Sequence, residues 1–455
     1  INDMTVSKKE VVHIGDSKRA DFIACMKVGI KSILCNRKIV NTCYVGINDI
    51  YQSDRNPYMY INNTLPRYKN ESLMFRWGYE AYGPLLLGFC QWIHKMLRDK
   101  KIETAFFLAR DMYLVVDIYK KLYPNENIKY LEISRKSLRQ AYVLKNDKLE
   151  SIFDTMARVN YSICEICDAL EIDVDEIIEK CKEVNLYISV SDKFPLNEDK
   201  NNVIFSNVVL DKLKSITDYS VEYLEQMGLR QKGKCALIDI GWHGTIQNML
   251  EKITENKYTG IYFGSTLRKS FKGMETYGYW FDTVDEQAIL PKLTMISILE
   301  VMLFPKIGTT ISYEKKSKGI VPIYGKCEMD ESYEHVKEFQ NGALEFINNY
   351  VKNSLFFNKE ILSTIAVKAY EKMAFQPTIL QAKTLSLLPY EEGKVMRIAY
   401  IDNKRNYFFR PKKILTDYEK AKWKTGFIKQ LVPFVKNPHR IDSLIKKIKW
   451  YIKSR

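Results

Sequence analysis

No run in this chain approaches the ~20 uninterrupted apolar residues that cross a bilayer, and its first residues carry no basic-then-apolar export signal. Both absences predict a cytoplasmic protein. Paired cysteines are missing too: there are nine, an odd number, and they are scattered, which suits reduced thiols rather than a disulfide framework. The lone C-x-x-C, Cys164 and Cys167, lies in a helical pattern with no second pair or nearby histidine to complete a zinc site, so core packing is its expected role. There is no internal repeat, no long low-complexity segment and no RNA- or DNA-binding signature.

What is present is ordinary globular material in quantity. The 455 residues, 46% hydrophobic and 27% charged, are enough for two or three domains with real cores. Apolar runs bounded by turn residues alternate with helical periodicity through the middle, predicting an α/β class. Strands are expected at Thr104–Leu108, Ile128–Ile133, 234–239 and Tyr258–Phe263. Residues 71–325 make this α/β domain, with a helical insertion at about 145–230. Ser162 to Glu165 and Asp173 to Glu176 read there as capping-box-like helix starts. Two short helices in succession also suit a DNA-reading helix-turn-helix, but small helical lids are commoner and the block is rich in acids. Residues 76–100 read as a mostly apolar buried helix broken near Gly83–Pro84. Polar, aperiodic residues 51–70 read as a linker, 326–420 as a helical region, and 421–455 as a basic amphipathic tail.

The net charge of +15 is concentrated in that tail, which carries ten Lys or Arg against the single acid Asp442. Ile441, Leu444, Ile445, Ile448 and Ile452 recur at helical spacing, with Lys446, Lys447, Lys449 and Lys453 mostly off that face. The pattern fits a helix at an anionic membrane surface and equally a terminal helix packed on its own domain.

Residues 11–36, VVHIGDSKRADFIACMKVGIKSILCN, combine a short strand expected to be buried (Val11, Val12, Ile14), a Gly15 turn, Asp16, Asp21 and a second parallel strand. Asp16 would project into the crevice at a strand end, where carboxylate oxygens suit Mg²⁺, with Asp21 in support. Three further strand ends carry polar or glycine-rich turns: LARD at 108–111, SRKS at 134–137 and DIGWHGT at 239–245. In a parallel sheet those ends converge. Arg110 and Arg135 suit bidentate phosphate or carboxylate recognition, and Asp111 and Asp239 a sugar hydroxyl or a metal. Ser134 belongs to the second turn. Gly241, Gly244 and Thr245, opening a helix, form a candidate phosphate cradle. His243 is a candidate acid or base beside the candidate catalytic Asp239, and Glu300 a candidate for the same cleft.

The GDSKRAD motif resembles the last catalytic motif of haloacid-dehalogenase-type (HAD) phosphohydrolases. With RWGYEAYGPLLLGFCQW, FFLARDMYLVVDIY, YLEISRKSL, LIDIGWHGTIQ and EVMLFPKIGTTISYE downstream, most of the chain resembles the bacterial HAD-superfamily predicted hydrolases linked to capsule and lipopolysaccharide biosynthesis, often fused or adjacent to glycosyltransferases. The resemblance implies a HAD-like Rossmannoid fragment at residues 1–50, with Asp16 and Asp21 at a Mg²⁺ site and positions for the nucleophile, the motif threonine or serine and the motif lysine absent. Phosphoryl transfer by this chain alone is therefore not expected. LIDIGWHGT also resembles, more faintly, the substrate loop of phosphoribosyltransferases, with one acid where that family has two.

Three functional expectations follow. The middle domain binds a sugar phosphate or nucleotide sugar during surface-polysaccharide synthesis; or the chain is a non-catalytic scaffold on the membrane face beside a glycosyltransferase partner; or it transfers phosphoribosyl groups.

Overall fold

The computed structural model describes residues 6–34, 57–156, 160–231, 233–266, 271, 273–283, 292–327, 333–353, 360–391, 395–401, 407 and 410–453. Residues 1–5 and 35–50 of the first segment and 51–56 of the expected linker lie outside the described residues.

A five-stranded, wholly parallel sheet forms the centre of an α/β fold. Strands β1 (Val12–Gly15) and β2 (Lys31–Leu34) belong to the first segment, whereas β3 (Thr104–Leu108) and β4 (Ile128–Leu131) start the central sheet. A two-residue ladder in the insertion supplies β5 (Tyr161–Ser162) and β6 (Lys193–Phe194). The sheet resumes with β7 (Cys235–Trp242), β8 (Thr259–Ser265) and β9 (Glu275–Asp282), in the order β4-β3-β7-β8-β9. The chain leaves β3 to one side for β4 and returns on the other for β7, so a topological switch point lies between β3 and β7.

Period-two alternation divides the sheet's side chains between two cores. Ala105, Phe107, Ala236, Ile238, Ile240, Ile261 and Phe263 face a large core with helices Gly83–Asp99, Tyr113–Leu122 and Leu293–Leu303. The alternate residues Phe106, Leu108, Cys235 and Leu237 face helix Thr245–Thr254 and the hairpin of β10 (Thr310–Lys316) and β11 (Gly319–Tyr324). Both faces are covered, the usual condition for a parallel sheet.

Several expected boundaries move. Residues 57–68 are not linker: helix Pro57–Thr64 and a 3₁₀ turn at Leu65–Tyr68 bury Tyr58, Ile61 and Leu65, whose 3- and 4-residue spacing makes one apolar stripe. The helix expected to break near Gly83 instead continues from Leu73–Trp77 through a π-turn, Gly78–Tyr82, into Gly83–Asp99. The π-turn takes up the register change without a kinked loop. The helical region after residue 326 is not a separate layer. Helix Tyr333–Val351 packs so closely that a Cβ on Gly78 would lie 1.9 Å from the Phe339 carbonyl, and one on Gly342 1.9 Å from the Phe75 carbonyl. Gln340 Nε2 donates to the carbonyls of Met302 (2.9 Å) and Phe304 (3.1 Å), and Trp280 Nε1 donates to Glu371 at 2.7 Å. Nor is all of 421–455 a tail, because Trp423, Phe427 and Ile428 are buried in the same large core.

The insertion has its own core, built from Leu149, Ile163, Ile166, Cys167, Leu170, Ile177, Phe194, Phe205, Val209 and neighbours. Ser162 and Glu165 form the full capping box, while Asp173 caps its helix through the amides of Asp175 and Glu176. Cys167 is a packing residue here. Among the described residues no helix is long and apolar enough to cross a membrane.

In the first segment β1 pairs in parallel with β2 as expected, from Val12 opposite Lys31 to Gly15 opposite Leu34. The strand is not buried, however: Ile14 is 63% exposed and Val12 46%, because β1 and β2 pair only with each other among the described residues.

Gly342→Ala is expected to destabilise the fold by about 1–3 kcal/mol or more, since its Cβ would meet backbone with no freedom to move. Urea unfolding checks this, and an unchanged midpoint would show that the two helices can separate.

Candidate functional site

Two strand ends build the wall of one cavity. Beyond β3, Ala109, Arg110 and Asp111 precede helix Tyr113–Leu122; beyond β4, Ile133 to Lys136 precede helix Arg139–Asn146. Together with Arg139, Thr155, Met156, Tyr161, Ile246, Phe304, Thr309 and Thr310 they line a cavity of about 680 Å³ at the carboxyl edge of the sheet. The volume is that of a small-molecule site, and the position beside the switch point is where open α/β sheets take ligands.

The polar lining is strongly basic. Arg110 donates from Nη1 to the Ile307 carbonyl (3.2 Å) and lies over the Phe304 ring at 4.8 Å, which orients its planar fork along the wall. Arg135 is exposed at the mouth, with no carboxylate within ion-pair distance among the described residues. Lys136 pairs with Glu171 of the insertion at 2.7 Å. Arg139 is the least expected member. Its Nε donates to Thr155 Oγ1 and its Nη1 to the Ala169 carbonyl, both at 2.8 Å, and both acceptors are neutral. Burial, then the charge of Arg135, push its pKa down. A guanidinium has five donors, and these two bonds leave three.

Beneath the cations lie carboxyls. Asp111 accepts no hydrogen bond among the described residues, and burial raises its pKa to about 6 although Arg110 and Arg135 both pull it down. Its surface is only partly covered, so protein surrounds it deep in the crevice while solvent still reaches it. Asp239, on β7, is pushed well up by burial, then by the negative charge of Asp111; Glu300 adds to this, while the amide of Ile240, 2.8 Å from Oδ1, opposes it. Glu300 also accepts from Trp242 Nε1 at 3.3 Å. Two carboxyls whose charges oppose each other's ionisation suit giving a proton to a leaving oxygen or taking one from a hydroxyl.

Arg110, Asp111, Ser134 and Arg135 thus meet in one cavity, and Asp239 reaches Asp111 electrostatically. The remaining residues of the third turn do not line it. Gly241 (φ +118°) is required because a Cβ there would lie 2.0 Å from the Gly264 carbonyl on β8, a packing reason rather than a phosphate one. Gly244 (φ +70°) starts helix Thr245–Thr254, and Ile246, not Thr245, reaches the cavity. His243 Nδ1 sits 3.1 Å from the Thr266 carbonyl and 3.0 Å from its hydroxyl, so the ring is held beside β8. Ser134 builds the turn: its hydroxyl accepts from the amides of Lys136 (3.0 Å) and Ser137 (3.1 Å) and donates to the Thr310 carbonyl at 2.6 Å. Arg139 had a visible signal, since it lies one helical turn after Arg135 in SRKSLR. Thr155 and Tyr161 had none.

Of the two aspartates expected at a magnesium site, Asp21 has both carboxylate oxygens in contact with protein groups. Asp21 Oδ2 accepts from the Ser17 amide at 2.8 Å and Oδ1 faces His13 Nε2 at 3.1 Å, contacts that lower its pKa in that order. Gly15 is needed less for a turn than for space, because a Cβ would lie 2.2 Å from Asp21 Cγ. Asp21 is therefore already engaged. No group of three His, Cys, Asp or Glu side chains placed to hold a metal occurs among the described residues.

Neither a protein-family model nor a curated protein matches the chain.

Because the Asp111 pKa is raised, its contribution to stability is full below the ordinary aspartate value and is lost as pH rises through about 6. Asp111→Asn removes the loss. It should unfold like the parent near pH ~4 and be more stable on the order of 1–2 kcal/mol near pH ~8. Denaturant titration at both values checks this. Equal destabilisation at both would mean that the carboxylate is held by a favourable partner.

Proposed function

We propose that this crevice binds a phosphorylated or nucleotide-activated sugar and that the chain serves bacterial cell-surface polysaccharide biosynthesis, of the capsule or lipopolysaccharide kind. Arg139 is the observation that carries the ligand reading: a half-buried guanidinium on the cavity lining whose hydrogen bonds go to neutral oxygens, while the nearby Glu171 is itself paired with Lys136. An anion in the cavity would give its remaining donors charge-assisted partners. Arg110, Arg135 and Lys136 on the same lining suit the spread charge of a phosphate or diphosphate, which Arg engages with two parallel bonds. Asp111, on the lining, supplies an acceptor for a sugar hydroxyl, and its raised pKa suits proton transfer at the sugar–phosphate oxygen. The polysaccharide context rests on the family resemblance of the segments around these same turns, as does a glycosyltransferase as partner.

The test is a thermal-shift screen of sugar phosphates, nucleotide sugars and phosphoribosyl diphosphate, with and without Mg²⁺. A ligand present at 100 times its dissociation constant stabilises the fold by about 2.7 kcal/mol. Arg135→Ala, at an exposed position, should leave the unliganded midpoint unchanged and weaken binding by about tenfold or more, the equivalent of 1.4 kcal/mol. A response confined to phosphoribosyl diphosphate would turn the assignment to phosphoribosyl transfer. Binding unaffected by both Arg135→Ala and Arg110→Ala would move the ligand out of this cavity.

A further inference from the structure

The basic segment expected to be a tail has two different sides. Helix Lys424–Leu431 buries Phe427 and Ile428 in the large core. Helix Pro438–Lys453 is then anchored through Asp442, whose buried carboxylate accepts from Tyr418 Oη at 2.6 Å and pairs with Lys446 Nζ at 2.8 Å. Ile445 packs on the core from the same side, and the His439 ring lies 5.6 Å from that of Phe375.

This anchoring decides what is left facing outward. Arg440, Ile441, Leu444, Lys447 and Ile448 fall within one arc of the helix, opposite Asp442. Ile441 is 36% exposed, Leu444 59% and Ile448 51%, while Phe434 in the preceding turn is 85% exposed. Lys436, Arg440 and Lys447 are exposed beside them. The only acid among residues 421–455 is Asp442, and it is buried and neutralised, so every exposed charge of the segment is positive.

We infer that this face is a docking surface for an anionic lipid bilayer, with Phe434, Leu444 and Ile448 entering the interface and Lys436, Arg440 and Lys447 meeting lipid phosphates. Charge complementarity favours this occupant. Nucleic acid would satisfy the cations but would set the apolar centre of the face against phosphates. A second copy of the chain would bring like charges together. A bilayer surface takes both components, because burial of apolar side chains and attraction of basic residues to the headgroups add there. The inference is independent of the proposed ligand in the crevice.

The experiment is co-sedimentation of the full chain with phosphatidylcholine vesicles, with or without phosphatidylglycerol. The parent should sediment with the anionic vesicles and not the neutral ones, and high salt should release it. Leu444→Glu/Ile448→Glu should weaken binding by about tenfold or more, and so should Arg440→Glu/Lys447→Glu. All four positions are exposed, so circular dichroism and the thermal midpoint should match the parent. Failure of the parent to sediment would overturn the inference, as would equal binding to neutral vesicles or retained binding in both variants. Two other results would also overturn it: a parent dimer that Leu444→Glu/Ile448→Glu converts to monomer without any vesicle binding, or tighter binding to polyuridylate that these apolar substitutions leave intact.

Discussion

The backbone-to-backbone approach of Gly78 and Gly342 is the constraint on which the architecture turns. Two helices can come this close only where neither carries a Cβ, and here each presents its glycine to the other's carbonyl. That contact brings Phe346 onto Tyr79, edge to face at 5.4 Å, and Phe339 onto Tyr82 at 4.5 Å. Tyr82 in turn donates to the Ile298 carbonyl at 3.0 Å, fixing helix Leu293–Leu303 over the sheet. Phe304, at the end of that helix, supplies the ring on which Arg110 lies. A helix–helix contact far along the chain thus sets one wall of the crevice.

The crevice itself is a balance of opposed charges at a place where the sheet topology leaves an opening. Cations sit on its rim and lining, and carboxyls below them. Three groups respond alike to the enclosure. Asp111 and Asp239 are pushed toward their neutral form and Arg139 toward deprotonation, in each case with burial as the largest cause. Arg135, out at the mouth, feels no such enclosure. The separation of enclosed carboxyls from solvent-facing cations gives a bound molecule two chemically distinct ends.

Much of the sheet was legible in the residues, because short apolar runs ending in Arg, Asp, Gly or Ser mark β3, β4, β7 and β8 by local chemistry alone. The gathering of Arg110, Asp111 and Arg135 followed once those strands were parallel. What local pattern could not carry was anything fixed by distant contacts. Residues 57–68 look like a turn-rich linker until Tyr58 Oη is seen donating to the Ile365 carbonyl, 3.2 Å away across the fold, and accepting from the Ala369 amide. Thr155 and Tyr161 reach the cavity only because the insertion folds back over it. In DIGWHGT Gly241 answers to the neighbouring strand, a demand that reads identically in sequence to a phosphate loop. Val12 and Ile14 read as core residues, yet among the described residues their strand pairs only with β2 and the face they share is open.

The insertion holds together around hydrophobic contacts of its own and meets the sheet domain over the cavity through polar links: Lys136 to Glu171, Arg139 to Thr155 and Ala169, and Gln140 to the Leu170 carbonyl at 2.6 Å. Helix Arg139–Asn146 ties the two cores as well, with Ala141 and Tyr142 in the one and Val143 in the other. The parts of the insertion beyond that helix open locally more readily than the central strands. Amide protons of 161–213 will then exchange with solvent by a route that leaves the central strands protected. Anything that fills the space beneath Arg139 will slow that exchange in a region it scarcely touches.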